Sequence, residues 1–247
     1  MKLNDVITMA THNSYAGGAV GSIAQQLAAG VRGLELDVWP VVLDQRHDFT
    51  LGHILPGEGV ALGGDNPSSP LFRTWIRLIA EWMSANAGHA PIFLVLDLKA
   101  PLGDVGAVDG IDALEGPLTS TFGSTLLPPG DVDVGWPELD DARGRMLVVL
   151  SGSELTRRAY RDAVPTGCMF VERQDNEGGL QDVLFYSSAA SNTAALRAAR
   201  GRGQVVRGWQ YTDSHPADLS GYLSLPATDT PFSESYSARC AVAGAVR

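Results

Sequence analysis

The sequence has little positive charge, few cysteines and no long hydrophobic run. Its 247 residues carry 18 lysines and arginines against 28 aspartates and glutamates, a formal net charge of −10. Binding to nucleic acid depends on a positive field that releases counterions from the phosphates, so this composition argues against a nucleic-acid partner. The chain also lacks a basic segment that would hold it to anionic lipid, and we expect at most a peripheral membrane contact.

No apolar run approaches the length that spans a bilayer. The first predicted strand begins about five residues from the N-terminus, which leaves no room for a signal peptide, so we expect a cytoplasmic protein or a secreted one whose leader was removed. The two cysteines, Cys168 and Cys240, have no CxxC-like neighbours and either pair or remain thiols. The sequence leaves the oligomeric state undetermined.

What is present is ordinary for a globular protein: 45% of the residues are hydrophobic and 19% are charged. We find no internal repeat and no linker-like segment, so we expect a single domain over residues 1–247.

Two strand-like segments near the N-terminus end in polar residues. THNSY, residues 11–15, supplies His12 and Asn13, and GLELDVW, residues 33–39, supplies Glu35 and Asp37. Alternate residues of a strand point to the same side, so the two carboxylates face one way. In a closed interior they would require a cation or a proton, whereas at a solvated strand edge they would not. These residues alone leave both interpretations open.

Two further segments repeat this pattern. FTLGH, residues 49–53, ends in His53, and PIFLVLDLK, residues 91–99, is a hydrophobic run typical of a buried parallel strand that ends in Asp97 and Lys99. The last two residues face together, either as a salt bridge at a strand end or as parts of a site. Lys99 is one of two lysines against sixteen arginines, which favours a specific role.

Four strands with polar residues at their C-terminal ends predict an α/β fold, a distorted (β/α)8 TIM barrel, whose active sites lie on that face. The predicted strands cover residues 6–10, 33–39, 49–53, 91–99, 146–150, 169–172, 205–211 and 223–228. The predicted helices cover residues 22–29, 71–86, 153–163 and 193–200, and residues 101–141 predict a short helix with loops. Asp213 either lines the mouth of the barrel or caps a turn, and we expect Asp229 to cap a turn.

The chain resembles the X region of phosphoinositide-specific phospholipase C, in particular its calcium-dependent bacterial branch. The resemblance lies in four parts of the sequence: THNSY, residues 26–39, His53 and residues 91–99. The resemblance is strong up to Lys99 and weak beyond it. It implies a distorted TIM barrel that cleaves a phospholipid or small phosphodiester by internal attack. In that family the inositol 2-hydroxyl attacks phosphorus, diacylglycerol leaves, and a cyclic inositol phosphate results.

The resemblance also implies roles for individual residues. His12 would stabilise charge on the phosphoryl oxygen, and His53 would protonate the leaving oxygen. Glu35 and a histidine are the alternative general bases. Ca²⁺, or Mg²⁺ as another hard cation, would be held by oxygen atoms of four residues: Asn13, Glu35, Asp37 and Asp97. Candidates for contact with the substrate are Lys99, Arg207, Tyr211 and Asp213.

Two other readings remain open. The glycerophosphodiester phosphodiesterase barrel shares paired acids and two histidines, but it normally opens with His-Arg-Gly rather than with His12-Asn13-Ser14. Alternatively, the barrel is repurposed for a soluble substrate, as a cytosolic biosynthetic lyase or cyclase or as a non-catalytic binding protein, because a fold does not fix a reaction.

Overall fold

The structure, a computed structural model, describes residues 1–40, 48–102, 110–132, 135–175, 177, 180 and 182–246. Within these residues the strands are β1 (Met9–Thr11), β2 (Val31–Trp39), β3 (Thr50–Leu51), β4 (Ile92–Leu98), β5 (Met146–Gly152), β6 (Met169–Arg173), β7 (Phe185–Ala189), β8 (Val205–Trp209) and β9 (Leu225–Thr228). The α-helices are α1 (Ile23–Ala28), α2 (Phe72–Ala85), α3 (Glu115–Phe122), α4 (Glu154–Ala163), α5 (Thr193–Gly201) and α6 (Glu234–Val242).

Eight parallel strands close into a barrel, because β1 pairs with β2 on one side and with β9 on the other. The order around the barrel is β1, β2, β4, β5, β6, β7, β8 and β9. All of these strands run the same way, so their C-terminal ends share one mouth. The predicted TIM barrel is confirmed.

The strand assignment differs from the prediction at two places. Residues 49–53 were predicted as a barrel strand, but β3 pairs antiparallel with the C-terminal end of β2 and stays outside the barrel. The strand that completes the barrel is β7, with the sequence FYSSA. Its two serines interrupt the apolar run that is typical of a buried strand. Both serines are nevertheless buried, where they form hydrogen bonds inside the fold.

Two of the predicted helices begin at capping serines, whereas α6 also follows a capping serine, Ser233, and was not predicted. Ser22 caps α1 in a capping box with Gln25, and Ser153 caps α4 by accepting the Thr156 N–H at 3.2 Å. The predicted short helix among residues 101–141 is α3, and the part of that segment at residues 103–109 and 133–134 lies outside the described residues. No described helix is long and apolar enough to cross a membrane.

The alternation along the strands separates two apolar clusters. Outward-facing residues such as Leu34, Leu36 and Leu94 pack against the helices, and Trp75 and Ile79 of α2 belong to the same cluster. The interior of the barrel is filled at its N-terminal end by a second cluster that includes Phe93, Val95, Leu147, Val149, Phe170, Phe185, Val205 and Leu225. This apolar plug leaves the interior positions nearer the mouth to polar residues.

The strands β1 and β2 approach each other closely at Gly33. A Cβ on Gly33 would lie 2.6 Å from the Cβ of Ala10, so only glycine permits this close approach. The approach brings the residues that follow β1 against the carboxylates of β2. The two cysteines, Cys168 and Cys240, are buried and are not joined by a disulfide.

Candidate active site

Three carboxylates lie together at the mouth of the barrel. The parallel register places Asp37 directly beside Asp97, and Glu35 lies two residues deeper on the same face of β2. One oxygen atom of each of these three side chains lies within 4.8 Å of the other two. Glu35 and Asp37 are buried, and Asp97 is half-buried. The structure therefore brings together the three carboxylates that the sequence predicts as metal ligands.

Two cations oppose these carboxylates. The Lys99 Nζ lies 2.8 Å from Asp37 Oδ2 and 2.6 Å from Asp97 Oδ2, and the Arg207 Nη2 lies 2.6 Å from Glu35 Oε1. Three negative charges thus face two positive ones. Because Glu35 and Asp37 are buried, the excess negative charge is costly unless a further cation or a proton neutralises it.

The pKa values of Asp37 and Glu35 are shifted in opposite directions. Burial and the neighbouring Glu35 raise the pKa of Asp37 to about 7, although Lys99 acts in the opposite sense. The pKa of Glu35 is lowered, since the charges of Arg207 and His12 outweigh the cost of burial. Glu35 is therefore held as a carboxylate by its partners, whereas burial and the charge of Glu35 favour the protonated form of Asp37.

The turn after β1 presents His12 and Asn13 to these acids. Asn13 has a left-handed backbone (φ 49°), and its N–H donates to Glu35 Oε2 at 2.9 Å. Ser14 ties the turn to β2, because its N–H donates to the Glu35 carbonyl at 3.1 Å and its Oγ accepts the Glu35 N–H at 2.7 Å. The Asn13 Oδ1 accepts from the Tyr15 hydroxyl at 3.3 Å. The motif THNSY thus fixes the turn against the carboxylate strand.

A buried glutamine supports the same turn from behind. Gln26 of α1 donates from Nε2 to the Ser14 carbonyl at 2.7 Å, and its Oε1 accepts from Thr11 Oγ1 at 2.8 Å. The side chain is fully buried, so these hydrogen bonds are made without competition from water. The first helix therefore helps to set the position of His12 and Asn13.

His12 has a partner that the sequence did not reveal. Its Nδ1 lies 3.0 Å from Asp229 Oδ1, and its Nε2 lies 3.9 Å from Glu35 Oε2. Burial disfavours the charged ring, but the hydrogen bond with Asp229 and the charge of Glu35 outweigh it, so the pKa of His12 is raised. The prediction that Asp229 caps a turn was wrong. Thr228 Oγ1 takes that role by accepting the Thr230 N–H at 3.2 Å.

His53 lies apart from this cluster in the described contacts. It follows β3, is exposed, and its N–H donates to the Glu58 carbonyl at 3.0 Å. Since β3 pairs with the C-terminal end of β2, His53 lies at the mouth end of the barrel. Within the described part of the chain, no contact joins its ring to His12 or to the carboxylates. Its role as an acid stays a prediction.

Tyr211 and Asp213 make contacts of a different kind. The buried Tyr211 hydroxyl donates to the Pro216 carbonyl at 2.9 Å. Asp213 accepts from Ser235 Oγ at 2.6 Å and lies 3.5 Å from Arg239 Nε. These contacts tie the connection after β8 to α6. None of the described contacts joins the two residues to the carboxylate cluster, and their contact with substrate stays a prediction.

A second polar group, not predicted from the sequence, fills the opposite side of the barrel interior. Glu172 Oε1 accepts from Ser151 Oγ at 2.7 Å and from Gln174 Nε2 at 2.8 Å. Burial raises the pKa of Glu172, against the effect of Arg207 and of these hydrogen bonds. Arg207 Nη1 in turn donates to Ser187 Oγ at 3.4 Å. A single carboxylate at an inward position of β6 was the available sequence signal.

The residues at the mouth fit a hard divalent cation. Ca²⁺ and Mg²⁺ take oxygen ligands, and the cluster offers carboxylate oxygens close together, while the Asn13 Oδ1 in the adjoining turn accepts from Tyr15. The observation that supports the fit is the excess of carboxylates over permanent cations among the described residues at the mouth, with Glu35 and Asp37 buried. A divalent cation would add positive charge where the carboxylates outnumber the permanent cations.

Comparisons with known proteins define the class of fold. No family model matches the chain, and no curated protein matches it. Solved structures do match. A calcium-dependent phosphoinositol-specific phospholipase C from Pseudomonas sp., in its myo-inositol complex, has a TM-score of 0.81 and 19% identity, over 96% of this chain and 94% of that chain.

Two further structures show the same likeness. A Ca²⁺-dependent phosphatidylinositol-specific phospholipase C from Streptomyces antibioticus has a TM-score of 0.75 and 17% identity, over 94% of this chain and 96% of that chain. A putative glycerophosphoryl diester phosphodiesterase from Silicibacter pomeroyi has a TM-score of 0.55 and 15% identity, over 98% of this chain and 95% of that chain. The chain thus shares its TIM barrel fold with these structures, and the predicted resemblance to the calcium-dependent bacterial phospholipases C is confirmed as a likeness of fold.

Proposed function

We propose that the protein is a metal-dependent phosphodiesterase that cleaves phosphatidylinositol, or a related phosphodiester, by intramolecular attack to give a cyclic phosphate and diacylglycerol. The observation that carries the proposal is the meeting of three carboxylates, within 4.8 Å of one another, with an imidazole held by a second acid. The neighbours named as calcium-dependent phospholipases C support this choice of substrate class.

The proposed ligands of the cation are four residues: Asn13, Glu35, Asp37 and Asp97. When bound, Ca²⁺ supplies positive charge that offsets the charge of a phosphodiester in the mouth. Arg207 fixes Glu35 by an ion pair of 2.6 Å, and Tyr15 holds the Asn13 amide. The chain thereby keeps the oxygen ligands in place before the cation arrives.

His12 is the group that we assign to the proton of the attacking hydroxyl. Its Nδ1 faces the Asp229 carboxylate and so carries a hydrogen, which leaves Nε2 to accept or donate a proton at the mouth. Glu35 is less suited as a base, because Arg207 and His12 lower its pKa. We keep His53, on the exposed segment after β3, as the candidate acid for the leaving oxygen.

Phosphorus NMR on vesicles that contain phosphatidylinositol tests this proposal. We expect a cyclic inositol phosphate in the presence of Ca²⁺, no turnover with a chelator, and a loss of about 10²- to 10⁴-fold in His12→Ala. His89→Ala is the matched control, since this imidazole precedes β4 at the opposite end of the barrel and bonds to the Ala90 carbonyl.

The other outcomes of this experiment separate the alternatives. Turnover that persists in chelator would remove the metal from the mechanism. Acyclic products from glycerophosphodiesters would assign the glycerophosphodiester phosphodiesterase reaction instead. If no phosphodiester is cleaved while a soluble ligand still raises the melting temperature, the barrel is a binding protein or an enzyme for a soluble substrate.

A further inference from the structure

Lys99 places its ammonium between two of the proposed metal ligands. The Nζ atom lies 2.8 Å from Asp37 Oδ2 and 2.6 Å from Asp97 Oδ2. Oxygen ligands lie about 2.3 to 2.6 Å from Ca²⁺, so a cation bound to either carboxylate would lie within a few ångströms of the ammonium. Two cations at that separation repel each other. The ammonium and a divalent cation therefore compete for the same pair of acids.

The two cations of the site differ in their freedom to move. Lys99 carries a compact charge on a flexible stem at the end of β4, and its side chain is 22% exposed. The Arg207 side chain is 7% exposed, projects from within β8, and is held by Glu35 and Ser187. If one cation leaves when a metal ion enters, Lys99 is the one with space to do so.

We infer that Lys99 is an exchangeable counter-ion: entry of a divalent cation at the Asp37–Asp97 pair displaces the ammonium, which then becomes available to the phosphate of a substrate. This inference rests on the proposed function and adds an order of binding, since the divalent cation must bind before the ammonium is free to contact the phosphate. No covalent bond changes in the exchange.

The choice of lysine at this position agrees with such an exchange. The chain uses sixteen arginines and two lysines, yet a lysine faces the two acids. An arginine would grip the carboxylates with several donors in a planar fork, and it would yield to a metal ion less readily. The type of cation therefore sets how easily the acids are released.

Calorimetric titration of the full chain with CaCl₂ tests the inference, because it predicts opposite changes of Ca²⁺ affinity in two variants of Lys99. In mildly alkaline buffer, where protons do not compete, we expect Lys99→Met to bind Ca²⁺ more tightly, by on the order of tenfold or more. Lys99→Arg should bind it more weakly than the wild type. Lys2→Met is the matched control, because it removes the same charge from an exposed pair with Glu138 and should leave the affinity unchanged.

Trace acylation of the wild-type protein gives an independent readout that needs no variant. With two lysines in the chain, peptide mass spectrometry reports the labelling of Lys99 relative to Lys2. The ratio should rise when Ca²⁺ is added. An unchanged or lower ratio would overturn the inference.

The result also separates this inference from the proposed function. Equal or weaker Ca²⁺ binding by Lys99→Met, in a protein whose wild type still releases cyclic product with Ca²⁺, would overturn the exchange alone. An absence of Ca²⁺ binding in every variant, together with an absence of turnover, would overturn both.

Discussion

Asp229 Oδ1 lies 3.0 Å from the Nδ1 atom of His12, although 217 positions separate the two residues in the chain. The contact exists because β9 pairs with β1, with Thr228 opposite Thr11, so the residues that follow the two strands meet at the mouth. A carboxylate on Nδ1 orients an imidazole and favours its charged form. This pair gives His12 a fixed orientation beside the proposed metal ligands.

From this pair we predict that Asp229→Asn lowers kcat/KM by about a hundredfold. The pKa of His12 should fall towards its ordinary value, since the substitution removes a negative partner, and proton NMR of the ring measures this fall. Asp218→Asn is the control: this exposed acid bonds locally to Ser220 on the connection between β8 and β9. Equal activity in the two variants would exclude the contact from the mechanism.

The buried pair of Glu35 and Arg207 yields a prediction about stability. Arg207→Met leaves the Glu35 carboxylate without its nearest cation, and breaking a buried pair costs about 3 to 5 kcal/mol of unfolding free energy. Urea denaturation measures the loss. Arg143→Met breaks an exposed pair with Asp140 and should cost about 0 to 1 kcal/mol. Similar losses in both variants would mean that the buried pair contributes no more than a surface pair.

Glu172 yields a prediction about pH. Burial raises the pKa of this carboxyl above its ordinary value, so the folded protein holds the proton more tightly than the unfolded chain does. The wild type should therefore lose stability as the pH rises from the ordinary range of a glutamate through the raised pKa. Glu172→Gln has no charge to bury, and its melting temperature should fall less over the same window.

Melting curves at a series of pH values compare the two proteins, which should converge in acid. Glu81→Gln, at an exposed position of α2, is the control and should follow the wild type. A wild type that gains stability relative to Glu172→Gln as the pH rises would show that the charged form of Glu172 is the favoured one.

Tyr15 yields a prediction about metal affinity. Its buried hydroxyl donates to Asn13 Oδ1, so Tyr15→Phe removes the group that holds the amide. We expect Ca²⁺ affinity to fall by about tenfold, at the low end for a group that orients a ligand, because the bond is 3.3 Å long. Tyr222→Phe, another buried phenol, controls for loss of a hydroxyl in the core. The prediction fails if both variants bind Ca²⁺ like the wild type.

Local pattern was enough to predict several parts of this site. Alternation along residues 33–39 put Glu35 and Asp37 on one face, and the hydrophobic run that ends in Asp97 and Lys99 marked a buried parallel strand. Both inferences concern neighbours within one strand, where the geometry of the backbone fixes direction. The same local signals placed α2 and the cap of α4.

Pairing between distant strands could not be read in this way. The register of β2 with β4 puts Asp37 beside Asp97. Arg207 reaches Glu35 only because the closed barrel places β8 across the interior from β2. Residues 49–53 looked like a barrel strand, and β7 did not, because apolar content measures burial and not the choice of partner.

The sequence by itself determined the kind of chemistry that the chain can carry: which strands end in acids, imidazoles and a rare lysine, and which faces those side chains share. Only the tertiary structure decided which of them meet. Closure of the barrel sets His12 against Asp229 and the ammonium of Lys99 between two acids, since contacts between strands depend on register and closure, which short-range periodicity does not encode.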